Sequence, residues 1–210
     1  MEGQKSFKER VKEAVIHNAV SYKWCYLDYE YLLCSKAFTK SEYYIVSAHE
    51  DNYLHLTGLH TNLNAEDFFY KCLNGTLEES DFDFIKPGQN EKEVRGSVRR
   101  KISSLPGMMN MFAGSSMVEE DFGKNRIRCS FATTSSYATL GFIVVGKARP
   151  MTLLKGNELD SAKAKRLELV LRRKRGEDKF SELLVGTKEI LSDYKEKLVG
   201  LLTDELRVNE

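Results

Sequence analysis

Apolar residues recur every three or four positions along residues 5–22, KSFKERVKEAVIHNAVSY. Phe7, Val11, Ala14, Val15 and Ala19 fall on one side, which predicts an amphipathic helix. The pattern then changes. YLDYEYLLCSKAF and SEYYIVSAHEDNYLHLTGL are rich in Tyr, Leu, Val and Ile and are broken by polar residues, which predicts two or three antiparallel strands with turns near 39–41 and 50–52. In the stretch DNYLHLTGLH, alternation puts Leu54 and Leu56 on one face and Tyr53, His55 and Thr57 on the other. NAEDFFYKCLNGTL has the marks of a capped helix: Asn64 at the N-cap, Glu66 and Asp67 in the first turn, and Gly75 at the stop. KPGQNEKEV is a loop, and 91–113 predicts a helix that Pro106–Gly107 should break or kink.

RIRCSFAT and ATLGFIVV return to strand character, joined through TSSY, and 158–208 predicts two helices meeting near 175–178. The expected fold is therefore α+β: a small antiparallel sheet flanked by helices, with a C-terminal helical pair. Regular strand–helix alternation, the requirement of a parallel sheet, is absent from this order. The domain division expected is 1–154 for the α+β body and 155–210 for a helical extension packed on it.

Composition narrows the classes. The chain has 210 residues, 41% hydrophobic and 30% charged, with a formal net charge of +1. Such a chain is globular, and its balance excludes gross electrostatic attraction to nucleic acid while leaving room for a local basic patch. Cys25, Cys34, Cys72 and Cys129 form no CxxC pair, so zinc has no signature. The N-terminal stretch is polar and no run is long enough to span a bilayer, so the expectation is a cytoplasmic protein that engages no membrane. GxSxG, GxxxxGK[ST] and strand-linked GxGxxG motifs are missing, and no cofactor is expected.

Candidate chemistry rests on histidine, arginine and hydroxyls. His17 belongs to the first helix; His49, His55 and His60 fall within twelve residues, at spacings unsuited to a metal site. An imidazole titrates near neutrality and suits general acid/base work. His55, before a Thr-Gly turn, is the first candidate, against the plainer alternative of a hydrogen-bonded sheet histidine. Arg126 and Arg128 alternate onto one face of a predicted strand and could present two guanidiniums. Residues 133–139, TTSSYAT, supply Ser136 and Thr139, hydroxyls that bind a phosphate or simply make a turn. The basic run 163–175, KAKRLELVLRRKR, with Lys165, Arg172 and Arg173, suits a phosphate backbone or is an ordinary solvated face. Lys147 is a further candidate contact.

Three stretches carry a resemblance. NYLHLTGL, then AEDFFYKCLNGTLEESDF, then SSYATLGFIVVGKARPMTLLK resemble, in order, a phage-associated branch of the barnase–EndoU–colicin–RelE ribonuclease superfamily, nearest its fourth phage-associated family. Residues 30–175 are covered, and Tyr53 stands where the family pattern has Phe. The resemblance implies a metal-independent RNA endonuclease, toxin-like or an effector of a mobile element. His55 would be the base or acid, Arg128 with Arg126 the phosphate fork, and Ser136 or Thr139 a further hydrogen bond. Implied partners are RNA, tRNA among the candidates, and a neutralising protein. A catalytically silent RNA- or protein-binding module on the same fold is the alternative. A third reading uses Leu184, Ile190, Leu191, Leu198 and Leu201 as a docking face on a C-terminal helix.

Overall fold

A computed structural model describes residues 5–207; residues 1–4 and 208–210, to which the sequence reading extends, lie outside the described residues. Helix α1 (Phe7–Tyr22) starts where Ser6 accepts a hydrogen bond from the Glu9 amide at 3.0 Å, and it runs on into one π-helical turn, Lys23–Leu27. Strands β1 (Tyr29–Cys34) and β2 (Tyr44–Val46) follow. Next come α2 (Glu50–Thr57), α3 (Ala65–Leu73) and α4 (Glu91–Met109). The α3 cap is as expected: the Asn64 side chain accepts from the Asp67 amide at 2.8 Å. Pro106 does not end α4, because it falls within the last turn, where few backbone bonds remain to lose.

The second half is mostly strand. It comprises β3 (Met117–Glu120), β4 (Gly123–Lys124), β5 (Ile127–Arg128), β6 (Phe131–Thr134), β7 (Ala138–Val145), β8 (Lys147–Lys155), β9 (Lys165–Arg166), β10 (Leu169–Lys174) and β11 (Glu182–Val185), then α5 (Lys188–Asp193). Nine of these strands form one sheet in the order β11-β10-β1-β2-β8-β7-β6-β3-β9, while β4 and β5 make a separate ribbon. The β2–β8 pair is parallel, with Val46 opposite Ala148. The expected small antiparallel sheet is thus corrected to a large mixed one.

The C-terminal helical pair is also corrected. Leu167, Leu169 and Leu171 alternate with Glu168, Val170 and Arg172, a period of two, and β10 is buried on both faces. The basic run 163–175 is therefore strand, and α5 is the one helix in 158–207. Leu191 and Leu198, read as a docking face, pack inside a second core with Leu32, Leu169, Leu171 and Phe180. In α2 the strand reading of DNYLHLTGLH gives way to a helix whose buried residues, Asn52, Tyr53, Leu56 and Thr57, keep helical spacing. Gly58 closes it in the left-handed conformation at φ 73°, its amide bonded to the Leu54 carbonyl at 3.2 Å.

Only Leu167 and Glu168 separate β9, at one end of the strand order, from β10, next to the other end. At about 3.3 Å per residue the chain crosses roughly 10 Å there. The sheet must curl until its two ends approach: the Leu167 amide bonds the Ser116 carbonyl beside β3 at 2.9 Å, and the next amide, of Glu168, bonds the Cys34 carbonyl of β1 at 3.0 Å. Helices α1–α4 pack the main core onto one face through Tyr31, Leu33, Val46 and Ala148. The other face holds Leu32, Cys34 and Ile45 under α5 and the chain after it. That second face is open toward the starts of β1 and β8 and the end of β10. No helix among the described residues is long and apolar enough to cross a membrane.

Candidate active site

The open part of the second face is a cleft of about 540 Å³. Four neighbouring strands build it, because alternation sends the right residues to this side. Leu32 of β1 faces the second core, so Glu30, two residues earlier, shares its face. Arg173 of β10 stands opposite Glu30 in register. Ser47 follows β2, and Lys147 and Arg149 flank Ala148 on β8, whose side chain belongs to the other face. His49 is the N-cap residue of α2, and Arg175 follows β10.

Glu30 is the hub. Arg173 donates to its Oε2 from Nε at 3.0 Å and Nη2 at 2.7 Å, and Lys147 Nζ donates to Oε1 at 2.6 Å. Burial opposes ionisation, but the hydrogen bonds from Lys147, Arg173 and Ser47 outweigh it and hold the carboxyl down at about 2. Arg173 also donates Nη1 to the Asp178 carbonyl at 2.5 Å and lies 4.5 Å over the Phe180 ring. Two of the four cleft cations are therefore tied to one carboxylate.

The other two bear on His49. Burial, and then the charges of Arg149 and Arg175, push its imidazole below the ordinary histidine value. The shift favours the neutral ring, the form that can take a proton. Its backbone is pinned: Tyr22 donates its hydroxyl to the His49 carbonyl at 2.8 Å, and the His49 amide donates to Asn52 Oδ1 at 2.9 Å. Arg175 braces the preceding residue, donating Nε to the Leu27 carbonyl at 2.6 Å and Nη2 to the Ala48 carbonyl. Arg149 is half-buried and has no hydrogen bond or ion pair among the described residues. It is a guanidinium free to take an anion.

The residues singled out from the sequence divide. Lys147 and Arg173 meet in this cleft. Arg172 points to the opposite side, bonded to Glu182 Oε2 through Nε at 3.2 Å and 4.2 Å over the Tyr29 ring. Lys165 is exposed on β9. His55 is on the exposed side of α2 rather than in a strand, and its carbonyl accepts from Lys101 Nζ at 2.7 Å. Arg126 and Arg128 lie on the β4–β5 ribbon, not on the nine-stranded sheet, and Arg128 Nη1 donates to the Asn125 and Ile127 carbonyls. Ser136 is exposed in the β6–β7 turn. Thr139 is fully buried, donating to the Gly156 carbonyl at 2.8 Å. No contact joins His55, Arg128, Ser136 and Thr139 among the described residues. Arg149, Glu30 and Ser47 escaped the sequence reading, and Arg175 entered it as the last residue of the basic run 163–175; the alternation Lys147-x-Arg149 beside an apolar strand was the available signal. His60, the third of the clustered histidines, is hydrogen-bonded through Nδ1 to Asp83 Oδ1 at 2.9 Å.

Among the described residues no three His, Cys, Asp or Glu side chains are grouped to hold a metal ion. What the cleft offers is an imidazole shifted toward its neutral form, an unpaired guanidinium and further cations on an α+β sheet, a set suited to anionic phosphodiesters. Residues 15–168 match the family PBECR4, phage-Barnase-EndoU-ColicinE5/D-RelE like nuclease4, and the chain belongs to this nuclease family, whose substrate is nucleic acid. No curated protein and no solved structure gives a match. The matched segment contains Glu30, Ser47, His49, Lys147 and Arg149 and stops before Arg173 and Arg175.

Proposed function

We propose that the protein is an RNA endonuclease that cleaves by transfer of the phosphodiester to the neighbouring 2′-hydroxyl, with His49 as the base. The observation that carries this is the placing of His49 and the unpaired Arg149 in one cleft of a nuclease family member, with the imidazole shifted toward its neutral form. His49 takes the proton of the ribose 2′-OH. The oxygen attacks phosphorus, the bond to the 5′ oxygen breaks, and that oxygen leaves with a proton from water. The products are a 2′,3′-cyclic phosphate and a 5′-hydroxyl. Arg149 meets the charge growing on the non-bridging phosphate oxygens, with Arg175 as a fixed positive neighbour. Glu30 stays ionised and serves to position Lys147 and Arg173 rather than to move a proton. Requirement for a 2′-OH makes the substrate RNA, with tRNA one candidate, and the setting that of a phage or mobile-element effector in a host cytoplasm, checked by a neutralising protein.

The test is cleavage of total RNA and purified tRNA in excess EDTA. Wild type and His55→Ala should give the same 5′-hydroxyl fragments, and His49→Ala should lose about 10²-fold or more. Loss in His55→Ala with retention in His49→Ala would refute the assignment. Binding without cleavage by the wild type would replace the enzyme with a binding module.

A further inference from the structure

A second hollow, of about 580 Å³, adjoins the cleft on the same sheet face and shares Lys147 with it. Tyr43 and Ile45 contribute apolar wall, and Lys40 and Asp121 stand at the rim. The two tyrosines here have different standing. Tyr44 is committed to the fold: its hydroxyl donates to Glu120 Oε1 at 2.7 Å and its ring stacks on Phe131 at 4.7 Å. Tyr43 is half-buried beside the second core, yet its ring meets no other aromatic ring and its hydroxyl has no hydrogen bond among the described residues. Its backbone is fixed, with the Ser41 hydroxyl donating to the Tyr43 carbonyl at 2.7 Å. The rim is fixed too. Asp121 holds a left-handed backbone at φ 55°, its amide bonded to the Ser130 carbonyl at 2.8 Å and its carboxylate paired with Lys40 at 2.5 Å.

We infer that this hollow is a nucleobase subsite, in which the base of a nucleotide adjoining the cleaved phosphate stacks on Tyr43. The inference rests on the RNA-cleaving reading of the neighbouring cleft. Lys147 marks the boundary, close to the phosphate on one side and to the base on the other. A half-buried ring, seated on the core and covered by no other aromatic, beside a cationic groove is how single-stranded nucleic acid is gripped without pairing, since every base offers a flat face. A double helix, with its bases stacked on each other, has none to offer. The substrate is accordingly a single-stranded or looped segment.

The experiment measures binding by fluorescence anisotropy, in a His49→Ala background that leaves the strand uncut. The probes are a labelled eight-residue single-stranded RNA and an abasic ribose–phosphate strand of the same length. Tyr43→Ala should weaken binding of the RNA by about tenfold or more and leave the abasic strand unchanged, while Tyr43→Phe stays within about twofold of the parent. Equal loss on both strands would mean that Tyr43 acts through the fold, and no loss, or no binding of either strand, would equally overturn the subsite. Wild-type cleavage is read separately. Tyr43-dependent binding by a wild type that cuts nothing would sink the catalytic reading alone, and cleavage indifferent to Tyr43 would sink the subsite alone.

Discussion

Glu30 is the residue whose removal should be felt most. It is 4% exposed, it lies opposite Arg173 on the adjacent strand, and it satisfies two cations at once. Two independent routes give the size of its contribution. Its carboxyl falls from an ordinary 4.5 to about 2, and at about 1.4 kcal/mol for each pH unit that is about 3 kcal/mol of stability. Breaking a buried ion pair by deleting one partner costs about 3–5 kcal/mol, because the other charge is stranded; here that charge is Arg173, whose side chain is 10% exposed. Glu30→Gln should therefore lower stability at pH 7 by about 3 kcal/mol, a fall in Tm of roughly 6–12 °C for a chain of this size. The sign with pH follows from the depressed value: the contribution is fully present above about pH 5 and is lost as pH falls through the range from 4.5 to about 2. Urea unfolding of wild type and Glu30→Gln at pH 7, 4 and 3 measures this, and the gap should shrink steadily with acid. A gap below about 1 kcal/mol at pH 7, or one indifferent to pH, would refute the reasoning.

Cleavage should keep its rate below pH 6.5, because burial and the neighbouring Arg149 and Arg175 push His49 downward, and Arg149→Ala should move the acid limb of the rate profile up. A limb that stays put would remove Arg149 from the base's surroundings. Gly141→Ala should cost about 1–3 kcal/mol in chemical denaturation, since an added Cβ would stand 2.6 Å from Cys129 Sγ and 2.8 Å from Thr152 Cγ2. In native protein, Cys25 should react with a thiol reagent ahead of the rest. It is the one half-exposed thiol; burial raises it too, but the others are buried more deeply, which pushes Cys34 and Cys72 up to about 12 and Cys129 to about 11. Stopped-flow labelling should show one fast phase, with the other thiols appearing on adding denaturant.

Local features were legible in the sequence and distant ones were not. Asn64 announced α3 because a cap is a matter of three residues. In α2 the same letters fit two periods: Leu54 and Leu56 look like a strand, while Tyr53, Leu56 and Thr57 make a helix face, and tertiary packing decided for the helix. In 163–175 the count of basic residues masked a plain Leu-x-Leu-x-Leu alternation. The cleft depends on pairings no window contains, such as Glu30 with Arg173, 143 residues apart. His49 stood among three clustered histidines, but its claim comes from Arg149 and Arg175, which the chain brings beside it only through the parallel β2–β8 pair and the return of β10.

The short span Leu167–Glu168, which draws the two ends of the sheet together, also sets a clock. During synthesis, Glu30, Ser47, His49, Lys147 and Arg149 emerge in turn, but the strand that slots beside β1 and carries Arg173, with Arg175 just beyond, occupies positions 169–175 of 210. Until it arrives, Glu30 has no opposite number and Ala48 loses the guanidinium that braces it. A chain that folds as it is made therefore leaves Glu30 and Ala48 without these partners until the late strand docks, so the charge arrangement of the cleft is among the last parts of the fold to be completed.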